Sequence, residues 1–312
     1  MAVIIPAFNM GSFLDQTLAS VAGQTRPADI VVVADDCSAD DTAQRAGRWV
    51  GRLPIEVVRL ERNEGPGPAR HQAIQATDAQ LLAMLDADDL WLPDHLETMI
   101  AAYERAPGLV SAQELSWMPG RGIDLAARRA QATSIPAGRA AQLATLLHHN
   151  YVNFPLFART AYEGAGGFRG WFRVGEDWDL WIRMLRAGVT MTQAPHPTAL
   201  HRVRPQSLSV DPHRTVELGI AVLTTALAEA GSAHERRAAA RGLRALVARK
   251  RYYDAFALAI DGHPWRARFT AARGSRGGGW KVAAGLTALA VAPGASIRLE
   301  QLTRRYRVFH PE

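Results

Sequence analysis

The chain of 312 residues predicts an α/β protein with a mostly parallel central sheet and a helical C-terminal extension. Three observations carry that expectation. Short apolar runs alternate with segments of helical spacing through the first hundred residues. The clearest of these runs are apolar at successive positions, the pattern of strands covered on both faces. From about residue 211 the sequence becomes Ala- and Arg-rich and reads as helices.

The elements follow in order. Ala2–Phe8 is a short apolar strand. Phe13–Ala22 carries Phe13, Leu14, Leu18 and Val21 at helical spacing, with Ser12 suited to the N-cap. Ile30–Ala34 is a β-branched strand, Asp40–Val50 is helical, and Ile55–Leu60 is a third strand. A helix over Pro68–Thr77 is entered from Gly65-Pro66-Gly67-Pro68. Leu81–Leu85 is the fourth strand, and Pro93–Arg105 is a helix with proline in its first turn. Residues 106–210 are less regular. They contain a loop-like Pro119–Gly122, a helix over Ala137–His149, and a helix from Glu176 through Arg186 that Gly188 ends. Gly274–Gly279 is a flexible break.

Composition bounds the class. The chain is 48% hydrophobic and 21% charged, which suits a globular protein of one large domain with an appendage, or of two domains. Cys37 is the only cysteine, so an intramolecular disulfide is excluded and a reducing, cytoplasmic setting is expected. The segment Met1–Pro6 lacks the basic and apolar regions of a signal peptide. Val282–Ile297 is the most apolar stretch, but Gly285, Pro293 and Gly294 break it and it falls short of a membrane span, so a buried helix is expected there. Net charge is uneven: residues 211–312 hold 17 Lys+Arg against 8 Asp+Glu, a net of +9, and the remainder is −3. The basic region is either a solvated face or a contact for an anionic membrane; no nucleic acid is expected as a partner.

In doubly covered sheets, ligands bind beyond the carboxyl ends of the strands. Residues there include Asn9, Asp35-Asp36, Glu61 to Glu64, and Asp86-Ala87-Asp88-Asp89. Three of these four clusters are acidic, which suits a cation or a hydroxyl-rich ligand. Alternating carboxylates can hold Mg²⁺ together with phosphate oxygens. The same acids also favour helix starts, so Asp89 could merely cap the helix that follows. A second cluster, Glu176-Asp177-Trp178-Asp179, opens a helix from which a carboxylate can act as general base.

Six segments, in order, then resemble the family 2 glycosyltransferases of the GT-A (Rossmann-like) fold: Ile4–Asn9, Val32–Asp40, Asn63–Arg70, Leu85–Asp89, Gly166-Gly167-Phe168 and Glu176–Trp181. The resemblance covers about residues 2–210. It implies a glycosyltransferase domain over 1–210, with 1–105 binding the nucleotide-sugar and 106–210 forming the acceptor side, followed by a helical region over 211–312. It implies transfer of a single sugar from a nucleotide-sugar donor, UDP- or dTDP-linked, to a hydroxyl with inversion, in bacterial polysaccharide or glycoconjugate assembly. The acceptor would be a sugar, a lipid-linked sugar or a small molecule, and the protein would be cytoplasmic or peripheral at the inner face of the membrane.

Site roles follow from the same resemblance. Pro6, Ala7, Asn9, Asp36, Arg70 and Asp86 would handle the nucleotide. Asp88, Asp86 and Asp89 would hold Mg²⁺ or Mn²⁺, and Asp177 would be the base. Glu176 and Trp178 would shape the acceptor side. Two departures stand out. Cys37 occupies a position where the family usually has glycine. In the tail segment His201–Ser209, Arg204 replaces a histidine and His201 falls at a tyrosine. Arg204 would bind diphosphate, and His201 is the alternative third metal ligand. The competing readings are a non-catalytic sugar-nucleotide-binding relative and a sugar nucleotidyltransferase; the latter lacks its Gly-rich basic loop after the first strand.

Overall fold

The computed structural model describes residues 1–117, 135–172, 174–204, 212–261, 263, 266–267 and 270–271. It divides into two compact units, Met1–Leu146 with Asn150–Pro205, and Leu147–His149 with Gln206–Glu312. The expected features at Pro119–Gly122, Gly274–Gly279 and Val282–Ile297, and Ser207 and Ser209 of the tail segment, lie outside the described residues.

The first unit is built on one eight-stranded sheet. Its elements are β1 (Ala2–Ala7), α1 (Gly11–Ala22), β2 (Ile30–Asp35), α2 (Thr42–Gly47), β3 (Ile55–Arg59), α3 (Pro66–Gln75), β4 (Leu81–Met84), β5 (Leu90–Trp91), α4 (His95–Arg105), β6 (Leu109–Trp117), α5 (Arg139–Leu146), β7 (Leu156–Ala158), α6 (Arg159–Gly164), α7 (Glu176–Arg186) and β8 (Met191–Arg202). The strand order is β3-β2-β1-β4-β7-β6-β8-β5. The β1–β2, β2–β3 and β1–β4 pairs are parallel, as is β6–β8. β7 runs antiparallel to β4 and β6, and β5 runs antiparallel to β8.

The successive apolar positions of β1 and β2 have a direct cause. Val3 and Ile5 face one layer and Ile4 the other, and all are fully buried because helices cover both faces of the sheet. The core continues through Leu14 and Leu18 of α1, Leu96, Met99 and Ile100 of α4, and Val110 and Leu156. Helix boundaries differ from expectation by a few residues. α3 begins at Pro66 rather than Pro68, because Gly65 takes φ 97° and Pro66 is preset for the first helical turn.

The larger difference lies in residues 106–210. The sequence pattern marks no long strand there, yet β6 has nine residues and β8 twelve. Pro195 and Pro197 hide β8, since a proline has no amide for the ladder and reads against a strand. The sheet accommodates them by register shifts between Ser111 and Glu114. Gly108, before β6, sits where an added Cβ would lie 2.3 Å from the Thr190 carbonyl oxygen.

The second unit contains α8 (Pro212–Ala228) and α9 (Ala233–Ile260), which pack together. Ala238, Ala239, Gly242, Ala248, Ala255 and Phe256 are buried along α9. Lys250 joins Glu217 at 3.2 Å and Asp254 at 3.1 Å, tying the two helices. No helix among the described residues is long and apolar enough to cross a membrane.

Gly108→Ala is expected to destabilise the first unit by about 1–3 kcal/mol, because backbone must move to admit the methyl group. Thermal unfolding checks this as a fall in Tm of about 2–4 °C per kcal/mol. An unchanged Tm would mean that the β6–β8 edge relaxes freely.

Candidate active site

β1 has β2 on one side and β4 on the other, so the connections leaving their carboxyl ends diverge and open a crevice. The acidic turn Asp86–Asp89 leaves β4 at this edge. Its first and last residues are joined by the Asp89 amide donating to the Asp86 carbonyl at 3.1 Å.

Two residues outside the sequence-derived list hold this turn. Thr17 of α1 is fully buried, and its hydroxyl lies 2.9 Å from both the Ala87 and the Asp89 carbonyl oxygens. Arg202, at the end of β8, donates its amide to Asp89 Oδ1 at 2.7 Å and its Nε to the Asp88 carbonyl at 2.6 Å. Its guanidinium also reaches Gln16 Oε1 at 2.7 Å and packs against the rings of Phe13 and Trp117. The three aspartates of the first acidic motif therefore sit on a turn fixed on both flanks.

The three aspartates of the turn have separate environments. Asp86 is 53% exposed at its side chain and accepts Arg70 Nη2 at 2.6 Å. Asp88 pairs with Arg204 Nη2. Burial, with Asp89 and Asp86 adding like charge, pushes the Asp88 carboxyl up to about 6, and Arg204 offsets part of that rise. Asp89 is buried, with Oδ1 taken by the Arg202 amide and Oδ2 at 3.4 Å from His201 Nδ1.

Both Asp89 oxygens are engaged and the side chain is enclosed, so Asp89 ties the turn to the end of β8. The Asp89 contact raises the His201 imidazole to about 9. Arg204 lies over the Phe13 ring at 4.8 Å, and its buried Nε has no hydrogen-bond partner among the described residues.

The segments after β1 and β2 are stitched together. Ser38 Oγ accepts the Asn9 amide at 2.9 Å, Asn9 Oδ1 accepts the Ala39 amide at 2.9 Å, and the Ala7 carbonyl accepts the Asp36 amide at 2.8 Å. Ala7 is buried and Pro6 half-buried, so both contribute backbone and ring surface rather than polar groups. The Asp36 carboxylate does not cap α2. It crosses to the start of α3, where it accepts the Glu64 and Gly65 amides, each at 2.8 Å. Cys37 takes φ 61°, the left-handed region in which glycine has no steric cost, which is a physical reason for a glycine at this place in similar sequences.

The two acidic motifs meet at Arg70. α3 and the start of α7 approach closely because Gly67 has no side chain; a Cβ there would lie 3.0 Å from Glu176 Cγ. One turn further along α3, Arg70 donates Nη1 to Glu176 Oε1 and Nη2 to Asp86 Oδ1. Burial disfavours the Arg70 charge, but Asp86, Glu176 and Asp177 outweigh it and hold the group protonated. Phe168 of the Gly166-Gly167-Phe168 segment stacks against the guanidinium, with 6.0 Å to the ring centre.

α7 presents Asp177 half-buried. Its Oδ2 accepts Asn150 Nδ2 at 3.1 Å, and its Oδ1 accepts the Trp178 amide at 2.6 Å. Burial raises the Asp177 carboxyl above the usual range, with Arg70 opposing the rise. Burial likewise raises Glu176 to about 7 against the pull of Arg70, and the Asp177 charge adds to the rise. Trp178, expected to shape the acceptor side, follows Asp177 on α7. It is buried, and its indole N–H donates to the Leu146 carbonyl at 2.7 Å. Glu176, also buried, pairs with Arg70. Trp171 has an exposed indole, at 70%. It packs on Arg169, which pairs with Asp179 of α7 at 3.2 Å.

Comparison with known proteins identifies the family and the fold. The profile of Glycosyl transferase family 2 matches residues 2–162, more than half of the chain. The chain belongs to this family. It is 29% identical over 218 residues to the succinoglycan biosynthesis protein ExoO of Rhizobium meliloti, covering 66% of this chain and 61% of that protein, less than two-thirds of the relative's own length. Among solved structures, Staphylococcus aureus TarS 1–349 in complex with UDP-GlcNAc superimposes with a TM-score of 0.62 at 17% identity, covering 98% of this chain and 91% of that one. The mannosyltransferase PcManGT of Pyrobaculum calidifontis, in complex with GDP-Man and Mn²⁺, gives 0.62 at 19% identity, covering 98% and 84%. The fold is that of the GT-A glycosyltransferases, with helices added at the C-terminus.

Proposed function

We propose that this family 2 protein transfers a single sugar from a nucleotide-sugar, UDP- or dTDP-linked, to an acceptor hydroxyl with inversion, using Asp177 as general base. One observation carries the reading: a single guanidinium, Arg70, bridges the acidic turn after β4 and the acidic start of α7, motifs ninety residues apart in the chain. Family membership and the nucleotide-sugars bound by TarS and PcManGT support a donor of this class.

In this reading Asp177 Oδ2 takes the acceptor proton as the acceptor oxygen attacks the anomeric carbon. The bond from that carbon to the diphosphate breaks on the opposite face, which inverts the centre. Asn150 and the Trp178 amide orient the carboxylate. Burial gives it the raised proton affinity that suits a base working near neutral pH. Arg204, with its unpartnered Nε, would turn from Asp88 to the diphosphate. Exposed Asp86 would meet the ribose, and the Asn9 and Asp36 loops would flank the nucleotide through Pro6, Ala7 and backbone groups. Trp171 replaces Trp178 as the proposed acceptor-side surface.

The acidic turn fits a divalent cation in part. Asp88 and Asp86 supply hard oxygen donors, and burial together with the neighbouring Asp89 and Asp86 charges raises the Asp88 carboxyl, a strain on the charged form that a cation would relieve. Among the described residues no three ligating side chains converge, so Asp88 and Asp86 would hold Mg²⁺ or Mn²⁺ with diphosphate oxygens and water completing the shell. Such an ion offsets charge on the departing diphosphate.

Asp177→Asn is expected to lower kcat by about 10²- to 10⁴-fold while calorimetry still detects donor binding. Unchanged turnover would remove Asp177 from the base role. The base must be ionised, so the rate should rise with pH through a limb above the ordinary carboxylate range. Because Arg70 holds the Glu176 and Asp177 carboxyls down, Arg70→Gln should move that limb to higher pH. A limb that stays in place would exclude Arg70 from tuning the base. Chelation should abolish transfer reversibly, with Mn²⁺ restoring it. Full activity of the metal-free protein would instead leave charge neutralisation to Arg204.

A further inference from the structure

We infer that the first three turns of α9 form an arginine surface for an anionic phospholipid membrane. Arg236, Arg237, Arg241 and Arg244 line a shallow hollow of about 410 Å³ together with Ala233 and Ala240. All four arginines are exposed, whereas Glu235, Ala238, Ala239 and Gly242 of the same turns are buried. At 100° per residue the two sets occupy opposite sides of the helix. The arginines are therefore the solvent face of a helix whose other side is closed by packing.

Among the described residues, the acids of the same helix do not compensate their charge. The acids of α9 are Glu235 and Asp254. Glu235 is buried and accepts the Gly231 amide at 3.1 Å, and Asp254 pairs with Lys250. Arg237, Arg241 and Arg244 have no carboxylate partner among the described residues, while Arg236 donates Nη2 to the Ala230 carbonyl at 3.3 Å. Four guanidiniums spread over about 12 Å of helix, at 1.5 Å per residue, match the phosphate layer of a bilayer and can each form paired hydrogen bonds to phosphate. The surface between them is alanine, with no aromatic ring on which a base could stack and no side-chain amide to read one. That composition favours a lipid headgroup layer over a nucleic acid. The net +9 of residues 211–312 strengthens the attraction at longer range.

The test is vesicle co-flotation of the full chain, with phosphatidylcholine alone and with phosphatidylcholine containing phosphatidylglycerol. Wild type should bind only the anionic vesicles, and binding should fall as salt is raised. R237E/R241E/R244E should lose binding by about a hundredfold or more, since each basic residue near the surface contributes roughly a factor of five. It should keep the wild-type Tm, because these side chains are exposed and Arg236, which supports the helix start, is left in place. R26E/R48E/R52E, with the same change in net charge on the first unit, should bind within about threefold of wild type. Equal loss in the two triple variants would reduce the effect to net charge and overturn the assigned surface. Wild-type binding to neutral vesicles as tight as to anionic ones would overturn it as well. Tighter binding to duplex DNA than to anionic vesicles at equal phosphate concentration, or release by millimolar inorganic phosphate at constant ionic strength, would overturn the membrane as its ligand.

Discussion

The placement of Arg70 is the constraint on which the first unit's site depends. Asp86 and Glu176 would repel one another across the crevice, and Glu176 is enclosed where an unpaired carboxylate is costly. A planar guanidinium with a fork of donors can serve both acids at once, which a lysine ammonium does with less directional control. The contact also dictates local shape. α3 must begin early enough to aim residue 70 at the crevice, so Gly65 turns the chain and Pro66 starts the helix. α7 must begin close enough to bring Glu176 within reach, so position 67 has no side chain.

Around that contact the acids separate by environment. Asp86 is open to solvent. Asp88 is crowded and shares its charge with Arg204. Asp89 is sealed between the Arg202 amide and His201. Glu176 is enclosed against Arg70, and Asp177 is half-buried with an asparagine and a backbone amide fixing its orientation. Five carboxylates of similar intrinsic acidity thus acquire different surroundings and different freedom to meet a ligand. Arg202 is central to this sorting, since its amide holds the Asp89 carboxylate and its guanidinium holds the Asp88 carbonyl, which leaves the Asp86 and Asp88 carboxylates to other partners.

The second unit obeys a simpler rule. Small residues let α9 pack closely: a Cβ on Gly242 would meet the Leu147 carbonyl oxygen at 2.0 Å. The helix can hold a high density of arginine only because that packed side carries the alanines and the opposite side carries the charge. Lys250 is the exception, drawn into pairs with Glu217 and Asp254 that join α8 and α9.

The strands β1, β2 and β4, the helices between them, and the two acidic motifs were legible in the sequence, because each is written in a local run of residues: apolar at successive positions for doubly covered strands, polar immediately after. Family membership was legible for the same reason, since its motifs sit at strand ends in a set order. The long strands β6 and β8 were not, because Pro195 and Pro197 break the local pattern and only pairing across the sheet makes a strand of that segment. Nor was the division of labour among the site residues. That Asp36 holds the amides of Glu64 and Gly65, that His201 ties down Asp89, that Trp178 is walled in while Trp171 stands open, and that Thr17, Asn150 and Arg202 belong to the site are facts of contact between distant segments. Local sequence specifies which groups are present and which element carries them. Burial and partnership, which decide a group's charge and reach, arise only when the elements pack together.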